Sequence, residues 1–302
     1  KKGGHGLQTF REVLQNSSNP GFVEIGRRLG KKRIYNYVKN FGLTQKTEVD
    51  LPGESCGIMF DYKNFHELEQ ATVAFGQGIS VTPLQLVTAI SACVNGGYLL
   101  QPHILKEVRN NNNEIIYQAK RKVKRQVIKE ETAKKVRDAL ESVVTDGGGR
   151  NAYIDGYRIG GKTGTAQKAV NGSYVGGGYI LSFVGIAPID DPQIVLYIAM
   201  DNPKNCIQYG GTTVAPIARK MFLDILPALN VKKVKSQRQK TFSVMDKKTI
   251  KVENYIGKQR KEVQNISLRF QFEGKGSIVI DQLPRKGEYV EEGDTIVIML
   301  GE

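Results

Sequence analysis

Apolar residues recur every three or four positions in several stretches of the chain, which is the spacing of one face of an α-helix. Between residues 22 and 41, apolar side chains stand at 22, 25, 29, 34, 37, 38 and 41. Pro83 is typical of a first helical position, and Gly96-Gly97 is typical of a helix end. The spacing predicts a helix that ends near Asn16 and helices over Phe22–Phe41, Pro83–Val94, Glu130–Val144 and Val214–Leu226.

Extended β-rich runs follow in the second half of the chain. Three of them cover Tyr157–Thr165, Tyr179–Pro188 and Gln193–Asp201. The last two are separated only by the turn residues 189–192, and a connection that short predicts an antiparallel hairpin. Helices before and after an antiparallel sheet indicate an α+β fold. Shorter strands are predicted over Ile104–Val108, Glu114–Tyr117 and Val123–Ile128.

The chain divides into two parts joined by a basic stretch. Between Val231 and Lys261, eleven Lys and Arg stand against two acidic residues (11 − 2 = +9), and the polar residues 231–241 predict a linker. We expect a larger domain over residues 1–230 and a small module over 242–302. The module shows strand-like runs and a polar helix near Lys258–Gln264; the runs are Ile250–Val252, Leu268–Phe272, Ser277–Asp281 and Thr295–Leu300.

Composition excludes several classes of protein. The 302 residues are 40% hydrophobic and 25% charged, close to the averages of globular proteins, which argues against disorder, collagen and a coiled coil. The net charge is +14, and the basic run at 231–261 predicts a solvated linker or attraction to an anionic surface. Three scattered Cys and three scattered His predict neither a disulfide framework nor a zinc site. The longest uncharged run, 70–105, is interrupted by Pro and Gly and predicts a buried helix rather than a membrane span. The basic run lacks interleaved aromatics, so we expect no nucleic-acid binding.

The densest chemical signal, residues 156–167, has two readings. Gly156 to Thr163 satisfies the P-loop pattern G-x-x-x-x-G-K-[ST], which binds phosphate. Val195 to Asp201 is similar to the apolar strand and acid that hold magnesium in a P-loop nucleoside triphosphatase (NTPase). A phosphate loop must open directly into a helix, whose amide groups bind the phosphates. The residues that follow Lys162 are rich in glycine and predict no helix. The P-loop NTPase interpretation is therefore disfavoured.

The second reading takes Lys162-Thr163-Gly164 as the Lys-Thr-Gly strand of a serine acyltransferase that recognises penicillin. Lys162 places a cation beside a substrate carboxylate, and Thr163 and Thr165 add hydroxyl donors. Gly164 lets a substrate backbone lie close to the strand. The backbone N–H of Thr165 can supply half of an oxyanion hole.

A second motif near the amino end supports this reading. Ser17-Ser18-Asn19 fits the Ser-x-Asn element of the same superfamily. A hydroxyl at Ser17 can relay a proton, and the Asn19 amide can hold a peptide carbonyl. The alternative is that these residues merely terminate a helix.

Several segments together resemble the class B penicillin-binding proteins, the monofunctional peptidoglycan transpeptidases. The resemblance covers roughly Lys1–Leu229, and residues 243–302 resemble a PASTA module through Pro284, Gly287, Val290 and Gly293. A single such module after a transpeptidase domain resembles the sporulation-specific members of the family, and the division-type members are the alternative. The segments that carry the family resemblance are Gly4-His5-Gly6, Asn16 to Phe22, Phe75 to Gln85, Gly161 to Lys168 and Ser182 to Pro188.

The resemblance implies a β-lactamase-like transpeptidase fold that crosslinks peptidoglycan stem peptides by serine acyl transfer and is inhibited by β-lactams. It implies Ser17, Asn19 and Lys162 as catalytic residues and Thr163, Gly164 and Thr165 as substrate-binding residues. No metal or organic cofactor is expected. Stem peptides, β-lactams and proteins of cell-wall synthesis are the expected partners, at the extracytoplasmic face of the bacterial membrane.

The family's nucleophile, the serine of a Ser-x-x-Lys motif, has no counterpart in this sequence, because no Ser is followed by Lys three positions later. We therefore expect a longer polypeptide whose remaining part carries the nucleophile, a pedestal region and a membrane anchor, and expect this chain alone to be inactive. The alternative is a non-catalytic protein that binds peptidoglycan as a scaffold. A β-lactamase fits less well, since no separate deacylating base is evident.

Overall fold

The computed structural model describes residues 6–168, 178–234 and 249–301. These contain helices and strands that follow one another in the order of an α+β fold, as expected from the sequence. The helices are α1 (Phe10–Asn16), α2 (Asn19–Leu29), α3 (Lys31–Asn40), α4 (Glu67–Ala74), α5 (Pro83–Val94), α6 (Glu130–Thr145), α7 (Gly210–Thr213) and α8 (Ala215–Ala228). The strands are β1 (Tyr98–Leu100), β2 (Glu107–Arg109), β3 (Ile115–Gln118), β4 (Val123–Gln126), β5 (Gly160–Gln167), β6 (Tyr179–Ala187), β7 (Ile194–Asp201), β8 (Thr249–Lys251), β9 (Arg269–Glu273), β10 (Ile278–Leu283), β11 (Tyr289–Glu291) and β12 (Thr295–Gly301).

The central sheet is antiparallel and has the order β5-β6-β7. The predicted hairpin between β6 and β7 is confirmed, with Ala187 opposite Ile194 next to the turn. Strand β5 pairs with β6 along its whole length, from Gly160 opposite Ile186 to Gln167 opposite Tyr179. Among the described residues, β5 therefore forms one edge of this sheet.

Helices cover both faces of the sheet. On one face α8 contributes Phe222 and Leu226, which are fully buried together with Leu181 and Phe183 of β6. Gly185 lies directly over the Phe222 ring, and a Cβ there would be 2.5 Å from Phe222 Cε2. On the other face α5 and α6 form a second cluster of buried side chains, which contains Val94, Leu140, Ile186 and Ile189. This packing fixes β5 between two layers of helix.

The helix predicted over Phe22–Phe41 is wrong as a single element. The structure divides it into α2 and α3 at Gly30, whose φ of 83° lies outside the helical region. A glycine adopts this conformation without the steric penalty of a Cβ, so the apolar spacing continues across a real break. Gly26 of α2 is buried against Ala74 of α4, which fixes the direction of the first of the two helices.

Residues 249–301 form a separate set of small sheets. Strand β12 lies between β10, with which it is antiparallel, and β9, with which it is parallel; β8 pairs with β11. Tyr255, Ile296 and Ile298 are fully buried in the core of this unit. The predicted polar helix near Lys258–Gln264 is reduced to a single 3₁₀ turn, Arg260–Glu262, because no apolar face is available to hold a longer helix.

The predicted linker begins on the larger unit. Val231 packs against the core that contains Phe222, and the Val234 N–H donates to the Gly156 carbonyl at 2.9 Å. Residues 235–241 of the predicted linker lie outside the described residues. Within the described ranges, no helix combines the length and the apolar character that a bilayer crossing requires.

Truncation of the core beneath the sheet is expected to destabilise the protein strongly. Phe222→Ala should lower the free energy of unfolding by about 3–5 kcal/mol, because it leaves a cavity under Gly185. Met221→Ala, on the exposed side of the same helix, should change it by about 0.5 kcal/mol or less. Urea unfolding of both variants measures the difference, and equal losses would contradict this description of the core.

Candidate active site

Ser17 occupies the turn between α1 and α2. Its backbone is in the left-handed conformation (φ 52°, ψ 45°), and its N–H donates to carbonyls at the end of α1. Ser18 then starts α2 by accepting a hydrogen bond from the Gly21 N–H. A non-glycine residue with positive φ is uncommon and needs support from its surroundings. The two helix ends provide that support and hold Ser17 at a fixed corner.

Lys162 of β5 meets Ser17 at this corner, although 145 residues separate them in the sequence. The Lys162 Nζ donates to Ser17 Oγ at 2.8 Å and to the Thr163 carbonyl at 3.0 Å. Burial of the amine lowers the pKa of Lys162 to about 8, because a charged ammonium loses its hydration there. A substantial share of Lys162 is consequently neutral near physiological pH and can accept a proton.

Helix α6 connects the two sides of this contact. The Gln15 carbonyl accepts a hydrogen bond from Gly148 N at 3.0 Å, and its side chain donates to the Ser142 carbonyl at 3.4 Å. At the other end of the contact, Arg158, which precedes β5, pairs with the buried Glu141 of α6 through two bonds of 2.8 Å. The end of α1 and the start of β5 are thus attached to one helix.

Backbone groups along β5 point alternately toward β6 and toward the open edge, and one hydrogen bond shows which residues point which way; we call this alternation the hydrogen-bond phase. Lys168 N donates to Gly178 O, so the Lys168 backbone points toward β6. In an antiparallel pair this direction alternates from residue to residue. The register between β5 and β6 is unbroken, so the backbone N–H and C=O groups of Thr163 and Thr165 point to the open edge. The bond from Lys162 Nζ to the Thr163 carbonyl agrees with this direction.

The remaining predicted residues surround this edge in different environments. Thr163 is buried and Thr165 is exposed; the Thr165 hydroxyl accepts a hydrogen bond from Gly210 N at 3.2 Å and keeps its own proton to donate. A Cβ at Gly164 would collide with the Ser182 hydroxyl, so only glycine fits without displacement. Asn19 is exposed in the first turn of α2, two residues after Ser17.

A group of glycines and one tyrosine near the site was not predicted. Gly211 lies so close to Gly148 that a Cβ would strike the Gly148 carbonyl, and a Cβ on Gly148 would be 2.6 Å from the Tyr209 hydroxyl. The Asn151 side chain donates to the Gly211 carbonyl at 2.9 Å. The triplet Gly147–Gly149 and the pair Gly210-Gly211 were the sequence signals for this close packing.

The phosphate-loop reading is excluded by the position of Lys162. It is the third residue of β5, and the described residues that follow it continue the strand instead of starting a helix. The acid of the supposed metal-binding strand, Asp201, forms an ion pair of 2.6 Å with Lys168.

Comparison with known proteins agrees with this geometry. Residues 1–223 match the family described as the penicillin binding protein transpeptidase domain. The match covers well over half of the chain, and the chain therefore belongs to this family.

Individual relatives narrow the comparison. The whole chain is 50% identical over 305 residues to stage V sporulation protein D of Bacillus subtilis, of which it covers 47%. It is 32% identical over 226 residues to the probable peptidoglycan D,D-transpeptidase PenA of Neisseria gonorrhoeae, in an alignment that covers 74% of this chain and 37% of that protein. The chain spans about half the length, or less, of these curated relatives.

Solved structures share the fold. Penicillin-binding protein 3 of Mycobacterium tuberculosis in complex with ampicillin has a TM-score of 0.71 and 32% identity, over 77% of this chain and 53% of that one. The transpeptidase domain of Burkholderia pseudomallei penicillin-binding protein 3 has a TM-score of 0.66 and 35% identity, over 76% of this chain and 66% of that one. The penicillin-binding transpeptidase fold expected from the sequence is thereby confirmed.

Buried Lys162 is expected to make stability depend on pH. Its pKa is about 8 in the folded protein against 10.5 for the unperturbed group, so between these values the unfolded chain binds more protons and stability rises with pH. The free energy of unfolding of the native protein minus that of Lys162→Met should therefore increase from about pH 8 to pH 10.5. Urea unfolding at several pH values measures this slope.

Ser17→Ala is the control for this experiment, because it keeps the buried amine. The free energy of unfolding of Ser17→Ala minus that of Lys162→Met should rise with pH as it does for the native protein. If the free energy of unfolding has the same pH dependence in the native protein and in Lys162→Met, the pKa of the Lys162 amine is not lowered by folding.

Proposed function

We propose that this protein is a serine-type peptidoglycan D,D-transpeptidase. The observation that carries the proposal is the contact of 2.8 Å between Lys162 Nζ and Ser17 Oγ beside an open strand edge, in a chain that belongs to the penicillin-binding transpeptidase family. A buried amine with a pKa of about 8 next to a hydroxyl can move protons, and an open edge can hold an extended peptide. Crosslinking of stem peptides needs both.

The acylating serine is supplied, in this proposal, by a part of the protein outside the present sequence. None of the 302 residues is a serine in a Ser-x-x-Lys motif, and the chain covers 47% of the length of the Bacillus subtilis relative. That serine and its lysine would complete the site beside Ser17 and Lys162. We expect the described residues alone to bind substrate but not to form an acyl-enzyme.

The first chemical step forms an ester between the serine Oγ and the carbonyl carbon of the penultimate D-alanine. The attacking hydroxyl gives its proton to the lysine of the same Ser-x-x-Lys motif, outside the present sequence. The C–N bond to the terminal D-alanine breaks, and its nitrogen takes a proton from the Ser17 hydroxyl, which regains one from Lys162. The tetrahedral oxyanion lies at the strand edge, where the outward N–H of Thr165 donates to it together with the N–H of the serine. The amine of a second stem peptide then attacks the ester carbon; the C–Oγ bond breaks, the amine gives up one proton, and the serine Oγ takes one back from the lysine of its motif.

Substrate binding follows from the same edge. The carboxylate of the terminal D-alanine lies near the Lys162 ammonium and the free hydroxyl proton of Thr165, while Gly164 lets the peptide approach the strand. The Asn19 amide, exposed two residues from Ser17, holds the carbonyl of the preceding peptide unit. A β-lactam presents an amide and a carboxylate in the same relation. One relative, penicillin-binding protein 3 of Mycobacterium tuberculosis, has been solved with ampicillin and with aztreonam.

The biological setting is proposed from the relatives. Identity of 50% along the whole chain to stage V sporulation protein D supports a role in sporulation. In this proposal the reaction is part of spore cortex synthesis and takes place at the extracytoplasmic face of the membrane. Residues 242–302 act in this proposal as a PASTA module that follows the transpeptidase domain. Proteins of cell-wall synthesis are the expected partners.

A non-catalytic scaffold is the second candidate, and the lack of a Ser-x-x-Lys motif in this sequence favours it. Labelling of the full-length protein with fluorescent penicillin separates the two candidates. A covalent adduct on a serine outside these 302 residues supports the transpeptidase, whereas a full-length protein without an adduct supports the scaffold.

Removal of the amine should slow acylation without unfolding the protein. In the full-length protein, Lys162→Ala is expected to lower the second-order rate of penicillin acylation roughly 10²–10⁴-fold, since proton transfer and carboxylate binding are both lost. Lys220→Ala, on the exposed side of α8, should leave the rate unchanged. Acylation rates are measured by quenching the reaction with fluorescent penicillin at a series of times and quantifying the labelled protein on a gel. Thermal unfolding shows whether the variant is folded. An unchanged acylation rate in folded Lys162→Ala would contradict the assigned role.

Loss of the Asn19 amide should have a smaller effect. Asn19→Ala removes one hydrogen bond to substrate, worth about 1–1.5 kcal/mol, so acylation should fall roughly tenfold. Because Asn19 is exposed and its neighbour Ser18 provides the helix cap, the melting temperature should change little. A large drop in melting temperature with an unchanged rate would identify Asn19 as structural.

A further inference from the structure

Residues 104–119 form an arm that the proposed reaction does not use. Strands β2 and β3 pair with each other, and all four residues of β3 are exposed. A two-stranded hairpin is only marginally stable alone, and a cluster of large apolar side chains on a protein surface is normally buried against another element or a partner. Six of them in this arm are 37–67% exposed: Ile104, Leu105, Val108, Ile115, Ile116 and Tyr117.

The base of the arm is firmly attached. The Asp50 carboxylate accepts hydrogen bonds from Ile104 N at 2.7 Å and Leu105 N at 2.9 Å, and these bonds lower the pKa of Asp50. The Gln101 side chain donates to the Glu48 carbonyl at 2.6 Å. The two bonds to the Asp50 carboxylate are charge-assisted, and such bonds are about twice as strong as neutral ones. The fold thus holds the arm in a defined place.

The tip of the arm is equally well defined. Asn110 Oδ1 accepts hydrogen bonds from the backbone N–H groups of Asn112 and Glu114, both at 3.0 Å. Asn110 N in turn donates to the Glu114 carbonyl at 3.0 Å. The exposed apolar side chains therefore lie on a well-ordered hairpin, whose base and turn are both held by hydrogen bonds.

The outer edge of β3 offers unpaired backbone groups. The Ala119 N–H donates to the Lys106 carbonyl at 2.8 Å, so the adjacent residue, Gln118, directs its N–H and C=O away from β2. Among the described residues no further strand pairs with this edge. An exposed apolar edge is a template for the addition of another strand.

The charge around the arm indicates what kind of strand would be added. Between residues 104 and 125 there are seven Lys and Arg against two Glu (7 − 2 = +5). Lys120 and Lys122, which follow β3 directly, are exposed, as is Lys106 beside β2. An anionic bilayer would attract the basic side chains, but it offers no hydrogen-bond partners for the backbone of β3. Unpaired N–H and C=O groups cannot be buried in hydrocarbon without a large cost in free energy. An acidic polypeptide strand can pair with the backbone edge and also bind the basic side chains.

We propose that the β3 edge is a docking site for an extended segment of a partner protein, in which apolar and acidic residues alternate. The segment adds as a strand to β3, covers Ile115 and Tyr117 with its apolar side chains and places its carboxylates near Lys120 and Lys122. Backbone bonds supply affinity in this mode of binding, and the side chains supply selectivity.

The probe for this site is a fluorescein-labelled peptide of about ten residues that alternates Val and Glu, measured by fluorescence anisotropy with the 302-residue chain. We expect it to bind at least about tenfold more tightly than the same peptide with Lys in place of Glu. Amide hydrogen exchange of residues 115–118 should slow when the acidic peptide is bound.

Two substitutions at one position test the backbone contribution. Gln118→Pro removes the outward N–H and no bond to β2, and should weaken peptide binding at least about tenfold. Gln118→Thr keeps the N–H and should bind within about twofold of the native chain. Hydrogen exchange of residues 107–109 in both variants shows that β2 and β3 still pair.

Three results would overturn the proposal. Equal binding of the Glu and Lys peptides would remove the charge argument, and equal binding by Gln118→Pro and Gln118→Thr, with the hairpin intact in both, would remove the edge argument. If neither peptide binds, while the chain binds phosphatidylglycerol vesicles or forms a dimer that charge reversal at Lys120 and Lys122 abolishes, the arm serves a membrane or a second copy instead.

Discussion

The site depends on an amine that is buried against a hydroxyl. Lys162 would hold its proton far more strongly in water, and the loss of hydration brings its pKa to about 8, where it can give and take a proton at physiological pH. The same burial limits the partners that it can reach, and Ser17 is held at 2.8 Å from it. Chemistry at this position therefore requires that the surrounding structure keep the lysine both dry and aligned.

Helix α6 meets this requirement for both residues. Its end carries the glycine turn that binds the Gln15 carbonyl, and its buried Glu141 forms two bonds with Arg158 just before β5. Small residues are needed at Gly148 and Gly211, where the turn and the start of α7 approach too closely for a Cβ. The contact between Ser17 and Lys162 is thus a product of close packing around one helix end.

Open strand edges recur in this protein, and they differ in what surrounds them. The edge of β5 lies between helices, carries a lysine and a glycine, and directs the N–H of Thr165 outward. The edge of β3 stands on an anchored arm and is bordered by exposed apolar and basic side chains. Backbone hydrogen bonding is available at both edges, so the side chains beside each edge distinguish the two surfaces.

The sequence by itself determined the α+β class, the hairpin of β6 and β7, the helix at Pro83–Val94 and the presence of Ser-x-Asn and Lys-Thr-Gly motifs, because these depend on local spacing and turn residues. It did not show that Gly30 divides a helix, since apolar spacing continues across the break. The proximity of Ser17 and Lys162, the depressed pKa, the outward N–H of Thr165 and the exposure of the arm were decided by the tertiary structure. Each depends on burial or on hydrogen-bond phase, which arise only when distant segments pack together.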